Sequence, residues 1–216
     1  MRRQSGFTLI ELMIGMLVGL IVLSAVVYAF ISTLSSSRDI LNSARLNREV
    51  SSLTDILVGE LRRTGYFPVS VAYSGTNSGF GSVVTDLYVA SDCILYGYYD
   101  DSIASTAYRG FYFDLANKRL MFGLVASTDS SLCTTLPNQL SSEQISVNTF
   151  TADLECTDLN TMTVVSDAAC SALPAVSKYS RAISVTLGFS VASDTNTNSG
   201  LIVDEFVKLP NDYAAD

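Results

Sequence analysis

Between Phe7 and Leu34 the chain carries one charged side chain, the carboxylate of Glu11. Its neighbours Phe7-Thr8-Leu9-Ile10 and Leu12 are apolar apart from one threonine. A carboxylate at membrane depth costs on the order of 2.5–3.5 kcal/mol on insertion scales and usually has a functional partner there. The chemistry on offer is charge pairing. The chain has no histidine, which removes histidine-based triads, general bases and metal ligands together.

The other candidates are weaker. Cys93, Cys133, Cys156 and Cys170 include no C-x-x-C pair, which argues against zinc. An even number in an exported domain favours disulfides. Three pairings are open, and sequence-neighbour pairing, Cys93–Cys133 with Cys156–Cys170, is preferred. Free buried thiols would fit a reducing compartment. Asp100-Asp101 follows Tyr96, Tyr98 and Tyr99 and could serve acid/base chemistry, but without a supporting cluster it reads as a solvated strand end. The tyrosines could touch a partner or glycan, although in strands they usually pack. Asp194 to Gly200 with Glu205 partly matches a calcium loop. The glycine falls one place late and strands flank it, so a hairpin turn is favoured. No G-x-S-x-G elbow and no P-loop occur. No metal or other cofactor is expected. The net charge of -8 argues against direct nucleic-acid binding.

Glu11 has to be positioned by the apolar run that contains it, which is long enough to cross a bilayer. Arg2 and Arg3 precede the run and Arg38 follows it. The positive-inside rule keeps the N-terminus cytoplasmic and sends the remainder outward. A secretory signal would be cut after the apolar run, whereas a signal anchor would keep everything. Neither accounts for the acid.

The string Met-Arg-Arg-Gln-Ser-Gly6 followed by Phe7-Thr8-Leu9-Ile10-Glu11 resembles the class III leader of type IV pilins and pseudopilins. The resemblance implies cleavage between Gly6 and Phe7 on the cytoplasmic side, and methylation of the new amine at Phe7, both by a prepilin peptidase. Glu11 would then be the fifth residue of the mature chain and would pair with the amine of a neighbouring subunit. Pairing offsets part of the desolvation cost of both charges. Gly15 and Gly19 form a G-x-x-x-G that could let helices approach closely.

Beyond Leu34 the apolar positions Leu46, Val50, Leu53, Leu57 and Leu61 recur at helical spacing. Gly65 suits a C-cap and Pro68 bars continuation. A helix from Phe7 to about Arg63 would be roughly 85 Å long. Its amphipathic half should pack on a sheet, with an extended coiled coil as the runner-up. The alternating Phe111, Phe113 and Leu115, then Leu120, Phe122 and Leu124, predict a hairpin turning at residues 116–118. Ile183, Val185, Leu187, Phe189 and Val191 predict a strand, paired with a last strand near Leu201–Leu209. Residues 127–177 read as loops tethered by cysteines. The expected fold is α+β: a long N-terminal helix, transmembrane then amphipathic, packed on an antiparallel β-sheet. The expected divisions are a cleaved leader at 1–6, a membrane and filament-core helix at 7–34, an amphipathic helix at 35–65 and an exported β-rich domain at 66–216.

Glu60-Leu61-Arg62-Arg63-Thr64-Gly65-Tyr66 resembles the helix end of PilW-type minor pilins and of pseudopilin J. This implies a non-enzymatic minor pilin that helps to initiate and assemble a type IV pilus. The implied partners are the prepilin peptidase, other minor and major pilins, the assembly platform protein and ATPase, and the inner membrane. The implied location is that membrane with a periplasmic C-terminal domain, and the surface pilus. A pseudopilin of a secretion or DNA-uptake system and a membrane-anchored adhesin are the alternatives.

Overall fold

The computed structural model describes residues 8–66, 87–159, 161–166, 179–192 and 200–209. Its contacts divide into two compact units, Met1–Arg45 and Leu46–Asp216. One helix, α1 (Leu9–Leu61), contributes to both.

In the first unit every described side chain of α1 is exposed, and most are large and apolar. By length and composition this stretch can cross a membrane. It has no core of its own, so lipid or neighbouring helices must cover it. Three hydroxyl groups within it bond back to its own backbone. Ser24, Thr33 and Ser37 donate to the carbonyls of Leu20, Ala29 and Thr33 at 2.8, 2.9 and 2.8 Å. Such bonds keep polar groups paired where water is absent.

In the second unit Leu46, Val50, Leu53, Leu57 and Leu61 are all buried, as their spacing predicts. Full burial of a leucine stabilises by about 1.5–3 kcal/mol, so this stripe holds the helix to the sheets. The stripe joins the domain core rather than a coiled coil. The helix ends in a turn at residues 62–65. Gly65 has φ 71°, a left-handed conformation that glycine adopts without strain. Its N–H donates to the Gly97 carbonyl at 2.9 Å, and the Tyr99 N–H donates to the Tyr66 carbonyl at 2.7 Å.

There are two antiparallel sheets rather than one. The first has the order β1 (Leu87–Ala90), β2 (Cys93–Asp100), β3 (Ser105–Asp114), β4 (Arg119–Val125) and β5 (Asn138–Gln139). The second has the order β7 (Thr163–Ser166), β6 (Ile145–Asp158), β8 (Tyr179–Val191) and β9 (Leu201–Lys208). Both sheets and the α1 stripe share one core, which includes Leu57, Phe111, Phe150, Ile183 and Phe189. The β3–β4 hairpin and the β8–β9 pair form where the alternation predicts. Leu115, however, sits outside the hairpin core at 70% exposure, because the turn begins after Asp114.

The loop reading of residues 127–177 is corrected by β6, which has 14 residues and pairs with β8 along its length. Ile145 and Val147 are buried, and then Phe150, Ala152, Leu154 and Cys156. A register shift between Val147 and Thr149 moves the buried positions from odd to even numbers. The bulge breaks the period of two that would have revealed the strand. Inside the same region a short 3₁₀ turn spans Ser130–Thr135.

Candidate functional site

Glu11 lies in the first turn of α1. Its Oε2 accepts the Thr8 backbone N–H at 3.2 Å and the Thr8 hydroxyl at 3.1 Å. The Glu11 N–H in turn donates to Thr8 Oγ1 at 3.4 Å. The first intrahelical bond runs from the Leu12 N–H to the Thr8 carbonyl at 3.3 Å. Thr8 and Glu11 therefore form a reciprocal capping box, which satisfies donors that lipid could not. Thr8 is a residue that sequence reasoning passed over, although Thr-x-x-Glu before an apolar run is a helix-start signature. The carboxylate also favours the positive end of the helix dipole.

Gly6 and Phe7 lie outside the described residues. At Gly15 and Gly19 nothing stands within 4 Å of where a Cβ would be, so the surface there is open. That shape admits a close helix neighbour.

At the opposite end of α1 a second carboxylate is anchored. Glu60 Oε2 accepts the Tyr96 hydroxyl at 2.8 Å and the Arg109 guanidinium at 3.2 Å. Arg63 NH1 lies 3.4 Å from Glu60 Oε1. Arg109 also lies over the rings of Tyr98 and Phe122, at 5.7 and 5.9 Å. Burial, followed by the charge of Glu60, pushes the Tyr96 hydroxyl well above its ordinary value of 10.0. Its proton is thus held in the bond to Glu60. Nearer the start of the domain, Glu49 Oε1 accepts the Ser142 N–H at 2.8 Å. Glu49 and Glu60 both lie on α1, and each reaches a residue far along the chain. Their partners lie 93 and 36 to 49 residues away, which no local pattern reveals.

Cys93 at the start of β2 is bonded to Cys133 in the 3₁₀ turn, with Cα atoms 6.0 Å apart. The bond sits in a satellite cluster with Leu95, packed by Tyr88, Tyr112 and Leu132. Cys156, buried in β6, is also disulfide-bonded. Cys170 lies outside the described residues. These bonds require an oxidising compartment to form.

The remaining candidates are dispersed. Asp100 Oδ1 accepts the Ser102 N–H and hydroxyl at 2.9 and 2.6 Å. Those bonds hold its carboxyl below the usual range, as a turn cap does. Asp101 is exposed in the same turn. Tyr96 and Tyr98 are core residues, and Tyr99 is half-buried. Asp194 to Ser199 of the calcium-loop comparison lie outside the described residues, while Gly200 precedes β9 and Glu205 lies within it. Among the described residues no group of three potential metal-binding side chains occurs.

Residues 1–27 match the prokaryotic N-terminal methylation motif. Residues 39–203 match the model of prepilin peptidase-dependent protein B. No curated protein matches the chain. Among solved structures it is similar to a type IV-like pilin, TTHA1219 from Thermus thermophilus. The two are 12% identical, with 78% of this chain and 99% of that one covered and a TM-score of 0.46. With its methylation motif at the N-terminus and most of the rest under one family model, the chain belongs to the prepilin peptidase-dependent protein B family.

Proposed function

We infer that the chain is a minor pilin, a structural and non-enzymatic subunit that helps to initiate and assemble a type IV pilus. The observation that carries this reading is Glu11, the lone carboxylate in the wholly exposed apolar part of α1. An apolar helix surface that no other described residue covers needs lipid or other helices to cover it. A charge near its start selects the register in which they meet.

In this reading the peptidase removes residues 1–6 and methylates the amine of Phe7. Residues 7–34 hold the subunit in the inner membrane and later in the filament core, with Gly15 and Gly19 at helix contacts. Residues 35–65 continue the helix into the periplasmic domain, 66–216, where the Cys93–Cys133 bond suits the oxidising compartment. Glu11 pairs with the amine of a neighbouring pilin. The platform protein and the assembly ATPase, separate proteins, drive insertion.

Deleting the gene and scoring surface pili, twitching, protein secretion and DNA uptake tests this reading. Loss of pili with intact secretion supports it. Normal pili with lost secretion or uptake would move the same subunit chemistry to a pseudopilin of another machine.

A further inference from the structure

Strand β9 ends its sheet, and among the described residues nothing pairs with its second edge. The Leu209 N–H donates to the Arg181 carbonyl at 2.9 Å. The β8–β9 register runs without a shift from Ala182↔Lys208 to Phe189↔Leu201. Hydrogen-bonded pairs alternate along an antiparallel ladder, so Val203, Glu205 and Val207 direct their backbone groups toward β8. Ile202, Asp204, Phe206 and Lys208 direct theirs outward. The side chains of Ile202 and Phe206 are 69% and 63% exposed. A regular edge of 8 residues with no proline in it, unpaired among the described residues, is a template for strand addition.

The edge borders a groove of about 280 Å³, walled by Asn47, Ser51, Thr54 and Asp55 of α1 and by Val203 and Glu205 of β9. Its wall holds two carboxylates and no cation. Thr54 is 8% exposed, and its hydroxyl has no hydrogen-bond partner. The volume falls just under the roughly 300–1,000 Å³ of small-molecule pockets and suits a single long side chain.

We propose that β9 and this groove form a docking site for an extended segment of another protein subunit, which adds as a strand to β9 and places a lysine or arginine between Asp55 and Glu205. Backbone bonds to the outward groups of residues 202–208 supply affinity, and the cation supplies selectivity. A second copy of this chain fits poorly, because its net charge is -8 and the β9 segment offers only Lys208 as a cation. The site stands on β9 and the groove beside it, and does not depend on the filament reading.

Fluorescence anisotropy of the full chain in detergent micelles tests it with two seven-residue peptides. Both alternate valine and threonine, and they differ only in a central arginine or glutamate. The arginine peptide is expected to bind at least tenfold tighter. In the Asp55→Asn, Glu205→Gln double variant the gap should shrink below twofold with the melting temperature retained. N-methylating alternate amides along one edge of the arginine peptide should abolish binding, while methylating the other set should not. Equal affinity for the two peptides, including none measurable, overturns the proposal. So does an arginine peptide indifferent to the neutralised groove or to both methylation patterns.

Discussion

Glu60 at the end of α1 accepts the hydroxyl of Tyr96 on β2 at 2.8 Å, so the helix is tied to the first sheet by a partly buried polar contact as well as by its apolar stripe. The same carboxylate faces Arg109 of β3 at 3.2 Å. Removing it strands a guanidinium that is three-quarters buried among aromatic rings. Glu60→Ala should destabilise the domain by about 2–3 kcal/mol. Chemical denaturation of the full chain in detergent measures this. A change below about 0.5 kcal/mol would show that the contact is dispensable.

Tyr96 makes stability depend on alkaline pH. Its folded value is raised, chiefly by burial and then by Glu60, so folding favours the protonated hydroxyl. The contribution is complete below the unfolded value of 10.0 and is lost as pH rises toward the folded one. Melting temperatures should hold near pH 9 and fall above about pH 10. In Tyr96→Phe the fall above pH 10 should be shallower. Identical pH profiles for the two proteins would contradict the assignment.

Cys93 and Cys133 are 40 residues apart in sequence. In the chain-entropy description, closing a loop of that size stabilises by roughly 4 kcal/mol. Cys133→Ser should lower the denaturation midpoint accordingly and release the 3₁₀ turn for proteolysis near Ser130–Thr135. Unchanged protease resistance with an unchanged midpoint would mean that the turn is held by its packing alone.

The β-rich region divides sharply into what sequence could and could not reveal. The Leu46 to Leu61 stripe and the strand Ile183–Val191 keep a strict period, and both are seen where expected. β6 was illegible because its bulge near Asn148 shifts the phase of an otherwise regular pattern. The division into two sheets was hidden with it. At the N-terminus the residue types of Glu11 and its leader were legible, but the partner Thr8 needed the geometry of the first turn. The Glu60 cluster was not legible. Its three chain segments are brought together by the β2–β3 register, in which Tyr96 faces Arg109, and by the packing of α1 on that sheet.

Glu11→Ala separates processing from assembly. It removes the carboxylate that accepts the Thr8 N–H and hydroxyl, and with it the charge proposed to meet a neighbouring amine. Cleavage should proceed, while the amount of the protein in sheared surface fibres should fall at least tenfold. Incorporation at the normal level would remove the charge-pair explanation of this residue.

The most direct measurement of the central claim is mass spectrometry of the N-terminus of the protein isolated from membranes. The account predicts a chain that starts at Phe7 with a methylated amine and retains the apolar helix with Glu11. In Gly6→Ala the leader should persist. A chain that still starts at Met1 in the unaltered protein, or one cut beyond Leu34, would contradict it.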